Sequence, residues 1–261
     1  MGGMSRPKDL VRIAAVADIH CGRIAEAVLQ SLLTHASQDA DVLLLCGDLV
    51  DHGLPDEARV LAKLIAATIR IPMLAVLGNH DFEADKQAEI EHILADVGVD
   101  ILDGEAREVH GIGFAGVKGF AGGFGKHVLQ PWGEAAIKSF VHEAVEESLK
   151  LESALSRLQM THRIALLHYA PIQQTVEGEA CEVFPFLGSS RLEEPLNRYP
   201  VTAVFHGHAH CGSPQGQTAA TIPVYNVSVP VLQRAYPEQP PFRILELPAG
   251  AAAAPAAAAA R

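Results

Sequence analysis

The chain has 261 residues, 49% hydrophobic and 20% charged, an ordinary globular composition and enough length for one α/β domain with a sizeable core. A formal charge of −11 and a pI near 5.6 argue against a surface that grips long nucleic acid, which needs clustered Lys and Arg, and favour a small or locally presented substrate. Cys21, Cys46, Cys181 and Cys211 are too few and too scattered for a disulfide framework and form no C-x-x-C pair, so they read as reduced thiols of a cytoplasmic protein.

The apolar run over 10–17, broken by Arg12 and closed by Asp18, reads as a first strand rather than a signal peptide. Arg6 stands where a myristoylation signal after Gly2 needs Ser or Thr, and no stretch approaches the roughly 18 apolar residues of a membrane helix, so neither anchor nor span is expected. Strands are predicted over 12–17, 42–46, 73–77, 163–167 and 202–205. Helical spacing of apolar residues runs over 24–37, 56–69 and 86–97, a rhythm that predicts βαβ units and a largely parallel sheet. A longer helix over 133–158 carries Ile137, Phe140, Val141, Ala144 and Val145 on one stripe, with Glu143, Glu146 and Glu147 on a solvated face. Runs over 108–115, 222–227 and 242–247 look like strands of a second sheet. The domain is expected to span 1–248; the alanine-rich segment 249–261 is expected to be an unstructured tail without function.

The first five predicted strands each end at chemistry-bearing residues. In order these are Asp18-Ile19-His20, Gly47-Asp48-Leu49-Val50-Asp51, Gly78-Asn79-His80-Asp81, His168, and Gly207-His208-Ala209-His210. One Asp-x-His is unremarkable; five motifs in order, each behind an apolar strand, are a strong signal, because the loops at the carboxyl ends of parallel strands converge. Carboxylates, imidazoles and one amide oxygen, with no thiolate required, suit divalent Mn, Fe or Zn. So many donors exceed what one ion takes. Two ions about 3.5–4 Å apart, sharing a carboxylate, would clamp both oxygens of a phosphoryl displacement and acidify a bridging water.

These motifs resemble the calcineurin-like metallophosphoesterases, whose pattern is D-x-H, G-D-x-x-D, G-N-H-D/E, a lone His and G-H-x-H, here covering 18–210. The resemblance implies a four-layer αββα sandwich with two mixed β-sheets flanked by helices. It implies that Asp18, His20, Asp48 and His210 hold one metal and Asp48, Asn79, His168 and His208 the other, with Asp48 bridging. His80 would give a proton to the leaving oxygen or stabilise transition-state charge, and Asp81 would orient it. The implied activity is hydrolysis of small phosphate esters by a metal-bridging hydroxide, phosphodiesters before monoesters. The stretch 47–81, with Asp51-His52-Gly53 and a helix leading to Ile71-Pro72, resembles the cyclic-nucleotide phosphodiesterase branch. The protein Ser/Thr phosphatases of the superfamily carry Arg before G-N-H-E; here Leu77 and Asp81 depart from that pattern. A nuclease of the same superfamily and a non-catalytic binding scaffold are the alternatives, the intact His80 counting against the scaffold.

Other residues leave two readings open. His206 could hold a neighbouring ligand by a hydrogen bond or cap its strand. Arg23 could reach a substrate phosphate or serve the helix start. Asp51 could neighbour the metals or form a turn with Gly53. Cys21 and Cys211 each follow an implied ligand and could add a thiolate ligand or redox sensitivity, small-residue packing being the preferred role. The glycine-rich run 114–127, with Lys118, is either a lip over the site or a strand end with a mobile loop, the second being preferred. Segments 118–132 and 173–190 are expected to shape the pocket. His35, His92, His110, His142 and His162 have no motif around them and read as surface or core residues. Asn226-Val227-Ser228 matches a glycosylation acceptor but lies in a strand pattern, so the match is discounted.

Overall fold

The computed structural model describes residues 10–249. In chain order the elements are β1 (Leu10–Val16), α1 (Glu26–Asp39), β2 (Val42–Cys46), α2 (Pro55–Thr68), β3 (Met73–Val76), α3 (Gln87–Ala95), β4 (Val99–Ile101), β5 (Glu105–Val109), β6 (Ile112–Gly116), α4 (Ala135–Ser156), β7 (Arg163–Leu166), α5 (Phe184–Leu187), α6 (Glu193–Arg198), β8 (Ala203–His206), β9 (Gln215–Gln217), β10 (Pro223–Asn226), α7 (Val229–Ala235) and β11 (Arg243–Pro248). The sequence and the structure agree on the principal strands and long helices to within a few residues.

Among the described residues, one sheet has the order β11-β1-β2-β3-β4 and the other β5-β6-β7-β8-β10-β9. Strands β1 to β4 run parallel, as do β6, β7, β8 and β10. The antiparallel strands β11, β5 and β9 lie at the edges. Strand β2 is buried along its whole length, as its unbroken Val-Leu-Leu-Leu-Cys sequence requires of a central strand covered on both faces.

Period-two alternation sorts the strand residues into layers. Ile13, Ala15, Leu44, Cys46 and Val76 face Phe114, Ile164, Leu166 and Phe205 across a core between the sheets. Their neighbours Ala14, Val16, Leu43, Leu45 and Ala75 point outward onto Leu29, Leu33, Leu61, Ile65 and Ile90 of α1, α2 and α3. Beyond the second sheet, Ala115, Ala165, Leu167 and Val204 pack under Leu151, Leu155 and Leu196 of α4 and α6. The result is the αββα sandwich. Each fully buried Leu or Phe in it stabilises the fold by roughly 1.5–3 kcal/mol against leaving it in water.

Three expectations are corrected. Glu147 does not share the solvated face of α4 but is buried, its carboxylate turned to Gly119 N–H. Segment 108–115 is not one strand: Val109 and Ile112 pair across a turn at His110-Gly111, both with positive φ, dividing it between β5 and β6. The run over 242–247 does not join the second sheet; β11 closes the first, antiparallel to β1, with Ile13 opposite Leu245. That pairing seats Leu247 in the inter-sheet core beside Val11 and Ile13. The Gly2 motif and the alanine run 250–261 lie outside the described residues. Among those described, no helix is long and apolar enough to cross a membrane.

Candidate metal centre

The candidate residues come from loops at the carboxyl ends of β1, β2 and β3 in one sheet and β7 and β8 in the other, where the sandwich opens. Asp18 and His20 follow β1, Asp48 follows β2, Asn79 and His80 follow β3, His168 follows β7, and His208 and His210 follow β8. Four of them, Asp18, His20, Asp48 and His208, hold φ values of 58°, 37°, 51° and 69°, a region non-glycine residues seldom occupy. Cross-loop hydrogen bonds hold this backbone: Asp18 N–H donates to Gly47 O at 3.0 Å, His20 N–H to Asp48 O at 3.0 Å, and His208 N–H to Asp18 Oδ2 at 3.0 Å. The motif glycines are steric requirements. A Cβ at Gly78 would overlap Asp48, and one at Gly207 would overlap the Asp18 carboxylate.

The donors gather in three overlapping groups, each with its atoms within 4.8 Å of one another: Asp18, His20 and His210; His20, Asp48 and His80; and Asp48, His168 and His208. His210 Nε2 lies 2.9 Å from Asp18 Oδ1, and His168 Nε2 lies 2.9 Å from Asn79 Oδ1 and 3.4 Å from Asp48 Oδ1. His20 Nε2 lies 3.8 Å from Asp48 Oδ2.

Metal ions fit this donor set. Both ring nitrogens of His20 are buried without a hydrogen-bond partner, although Nδ1 stands 3.1 Å from Asp51 Oδ1, because that contact lacks hydrogen-bonding geometry. Orphaned polar atoms and the buried carboxylates of Asp18 and Asp48 are costly unless a cation satisfies them.

Burial pushes the Asp48 carboxyl well above the usual carboxylate range, and the charges of Asp18 and Asp81 push it further. Burial acts to raise Asp18 too, but the hydrogen bond from His210 and the nearby His168 and His210 bring it down to about 2. Burial lowers His20, His168 and His208, favouring the neutral imidazole that ligates metals. His210 moves up, chiefly through its bond to Asp18.

Around these donors lie residues whose role is placement. Asp81, expected to orient His80, spends both oxygens on backbone amides instead, accepting from Gly78 at 2.7 Å, Val50 at 2.9 Å and Leu49 at 3.0 Å. Burial raises it to about 6 against the pull of those three donors. The ring of His80 is held by other groups: its Nδ1 lies 2.7 Å from Asp51 O and 3.0 Å from Glu83 Oε1. Asp51 thus joins the centre, between His20 and His80. His206 does not reach a ligand side chain; it shares hydrogen bonds with Thr175 Oγ1 and Gly207 O, both at 2.8 Å.

Two residues escaped the sequence reading. Asn226 donates to Ala209 O at 2.8 Å, and Arg234 donates to His210 O at 3.0 Å, so both fix the Gly-His-Ala-His loop. The available signal for Asn226 was a buried-type strand ending in a polar residue. The glycine-rich run is pinned rather than draped: Lys118 O accepts from His168 N at 2.9 Å, and Gly119 N–H donates to the buried Glu147 at 2.7 Å. Segment 173–190 does reach the centre, His208 Nε2 lying 3.2 Å from Phe186 O.

An αββα sandwich with a carboxylate and imidazole cluster at its strand ends defines a metallophosphoesterase-type protein. The profile of the calcineurin-like phosphoesterase family matches residues 11–212, and the chain belongs to that family. No curated protein matches the chain significantly. Among solved structures, phosphopantetheinyl hydrolase from Mycobacterium tuberculosis is similar with a TM-score of 0.65 at 15% identity, covering 89% of this chain and 95% of that one. The protein TT1561 of Thermus thermophilus is similar with a TM-score of 0.52 at 14% identity over 90% and 98%. GAP50, the anchor in the inner membrane complex of Plasmodium, gives 0.52 at 11% identity over 86% and 73%. At these identities the likeness speaks for the fold alone.

Proposed function

We propose that the centre holds two divalent ions, Mn²⁺, Fe²⁺ or Zn²⁺, and hydrolyses small phosphate esters, diesters before monoesters. Asp18, His20, Asp48 and His210 would hold one ion, and Asp48, Asn79, His168 and His208 the other. The observation that carries this reading is the placement of Asp48, whose Oδ2 faces His20 at 3.8 Å and whose Oδ1 faces His168 at 3.4 Å, one oxygen toward each imidazole set. When bound, the ions would supply Lewis acidity and a water acidified to near-neutral pKa.

The chain's own residues supply position and a proton. With Nδ1–H donating to Asp51 O, the partly exposed His80 ring leaves Nε2 to carry the proton that passes to the leaving oxygen. Water, having given one proton to solvent, bonds through oxygen to phosphorus as the P–O bond to the leaving group breaks; the leaving oxygen takes the His80 proton, which solvent then replaces. Asp81 keeps the Asp48 and Asn79 loops at fixed separation, holding the donors in the reacting geometry. Arg23 lines the cavity beside Asp18 and His20, the cationic Arg or Lys among its described lining residues. Free cysteines, with Cys181 and Cys211 exposed, suit a reducing cytoplasm.

The test is hydrolysis of bis-p-nitrophenyl phosphate and p-nitrophenyl phosphate by metal-stripped protein titrated with Mn²⁺, Fe²⁺ or Zn²⁺. Turnover restored by at least one metal, faster on the diester, is expected. Absence of turnover with all three would contradict the proposal.

A further inference from the structure

From Asp18, His20 and His210 a cavity of about 810 Å³ runs away from the centre between α1 and α7. One wall is the helical stripe Ile24, Val28 and Leu32, spaced i, i+4, i+8 along and just before α1; the other is Val229 and Pro230 of α7 with Pro240 and Pro241 before β11. The lining reaches His35, eleven residues beyond Ile24, which on a helix spans about 16 Å. Its volume lies within the few-hundred to about 1,000 Å³ range of small-molecule sites.

Three features decide what it would take. Its carboxylate and guanidinium, Asp18 and Arg23, belong to the end at the metal centre, while Ser31, His35 and Gln233 are the hydrogen-bonding groups farther along. Among the described residues no Phe, Tyr or Trp lines it; its rings are the imidazoles of His20 and His210 at the centre and of His35 at the far end, so along the apolar stretch between them a nucleobase would find no ring to stack on. Val28 remains 55% exposed although it lies on the apolar stripe, which leaves apolar area uncovered beside the candidate ligands.

We propose that this groove binds the organic group of the substrate, and that this group is an extended, mainly aliphatic chain on the phosphate ester rather than a nucleoside. The assignment rests on the hydrolytic reading of the centre. The phosphate sits at Asp18, His20 and Arg23, and the chain lies along Ile24, Val28 and Leu32 against Pro240 and Pro241.

The experiment compares methyl, butyl and octyl p-nitrophenyl phosphodiesters, with the thymidine 5′-(p-nitrophenyl phosphate) ester, on Mn²⁺-loaded wild type, Val28→Asp and Leu149→Asp. Leu149 is an exposed apolar residue of α4, away from the groove, and serves as the control. In parallel, calorimetry measures binding of octyl and methyl phosphate, independently of turnover. The expected result is a KM falling about two-fold per added methylene, half the full-burial value because the groove is open on one side. Val28→Asp would remove about ten-fold of the octyl advantage, and Leu149→Asp would keep it. Equal KM across chain lengths with bis-p-nitrophenyl phosphate still hydrolysed, or preference for the thymidine ester, would overturn the groove assignment alone. Concentration-dependent dimerisation abolished by Val28→Asp, with no chain-length effect, would assign the groove to a second copy and overturn it equally. If no ester is hydrolysed, the hydrolytic reading fails, and equal calorimetric affinity for octyl and methyl phosphate would then also overturn the groove.

Discussion

The carboxylate of Asp81 accepts the backbone amide of Val50 at 2.9 Å, and with its bond to Gly78 it ties the loop after β2 to the loop after β3. Asp81→Asn puts an NH₂ group where amide donors converge and leaves at least one of them unpaired. The substitution should lower the stability of the metal-free protein by about 2 kcal/mol, measured by urea denaturation, and weaken metal affinity. The leaving-group dependence of turnover should stay the same; a change in it at unchanged stability would mean that Asp81 acts on His80 directly.

His80→Ala removes the proposed proton donor but no proposed metal ligand. Turnover should fall about 10²- to 10⁴-fold for esters with alkyl leaving groups and much less for p-nitrophenyl esters, whose leaving oxygen needs little protonation. The metal titration endpoint should not move. Equal losses across leaving groups would point to charge stabilisation rather than proton transfer.

Gly78→Ala drives a Cβ into Asp48, whose backbone and side chain are both held in place. Overpacking at a site this tight costs about 1–3 kcal/mol. The variant should lose most of its metal affinity as Asp48 is displaced, read by calorimetric titration with Mn²⁺.

Thiol reactivity reports on the packing beneath the centre. Cys21 and Cys46 are buried, 1% and 0% exposed, whereas Cys181 and Cys211 are exposed. A thiol-disulfide chromogen should titrate two of the four cysteines quickly in the native protein and all four after denaturation. Rapid reaction at Cys46 would mean that the central strand β2 is not covered as described.

The candidate donors were readable because each sits two to four residues beyond a strand whose apolar run is unmistakable, such as the fully buried Val42–Cys46 before Asp48. The role of Asp81 was not. Its adjacency to His80 suggests a pair, yet the two lie in the 3-10 turn His80–Phe82, where successive side chains point about 120° apart. Asn226 and Arg234 act on loop carbonyls 17 and 24 residues away, a relation no local pattern encodes. The sheet membership of β11 was equally hidden, since the alternation of Arg243–Pro248 would serve an edge strand of either sheet.

The most direct test of the central claim is the Mn²⁺ stoichiometry of the metal-stripped protein, measured with the electron paramagnetic resonance spectrum of the loaded state, for wild type and Asp48→Ala. The account predicts two ions per chain with an exchange-coupled spectrum in wild type, and loss of the coupling with at least one ion in Asp48→Ala. One ion per chain in wild type, or two coupled ions retained without the Asp48 carboxylate, would contradict it.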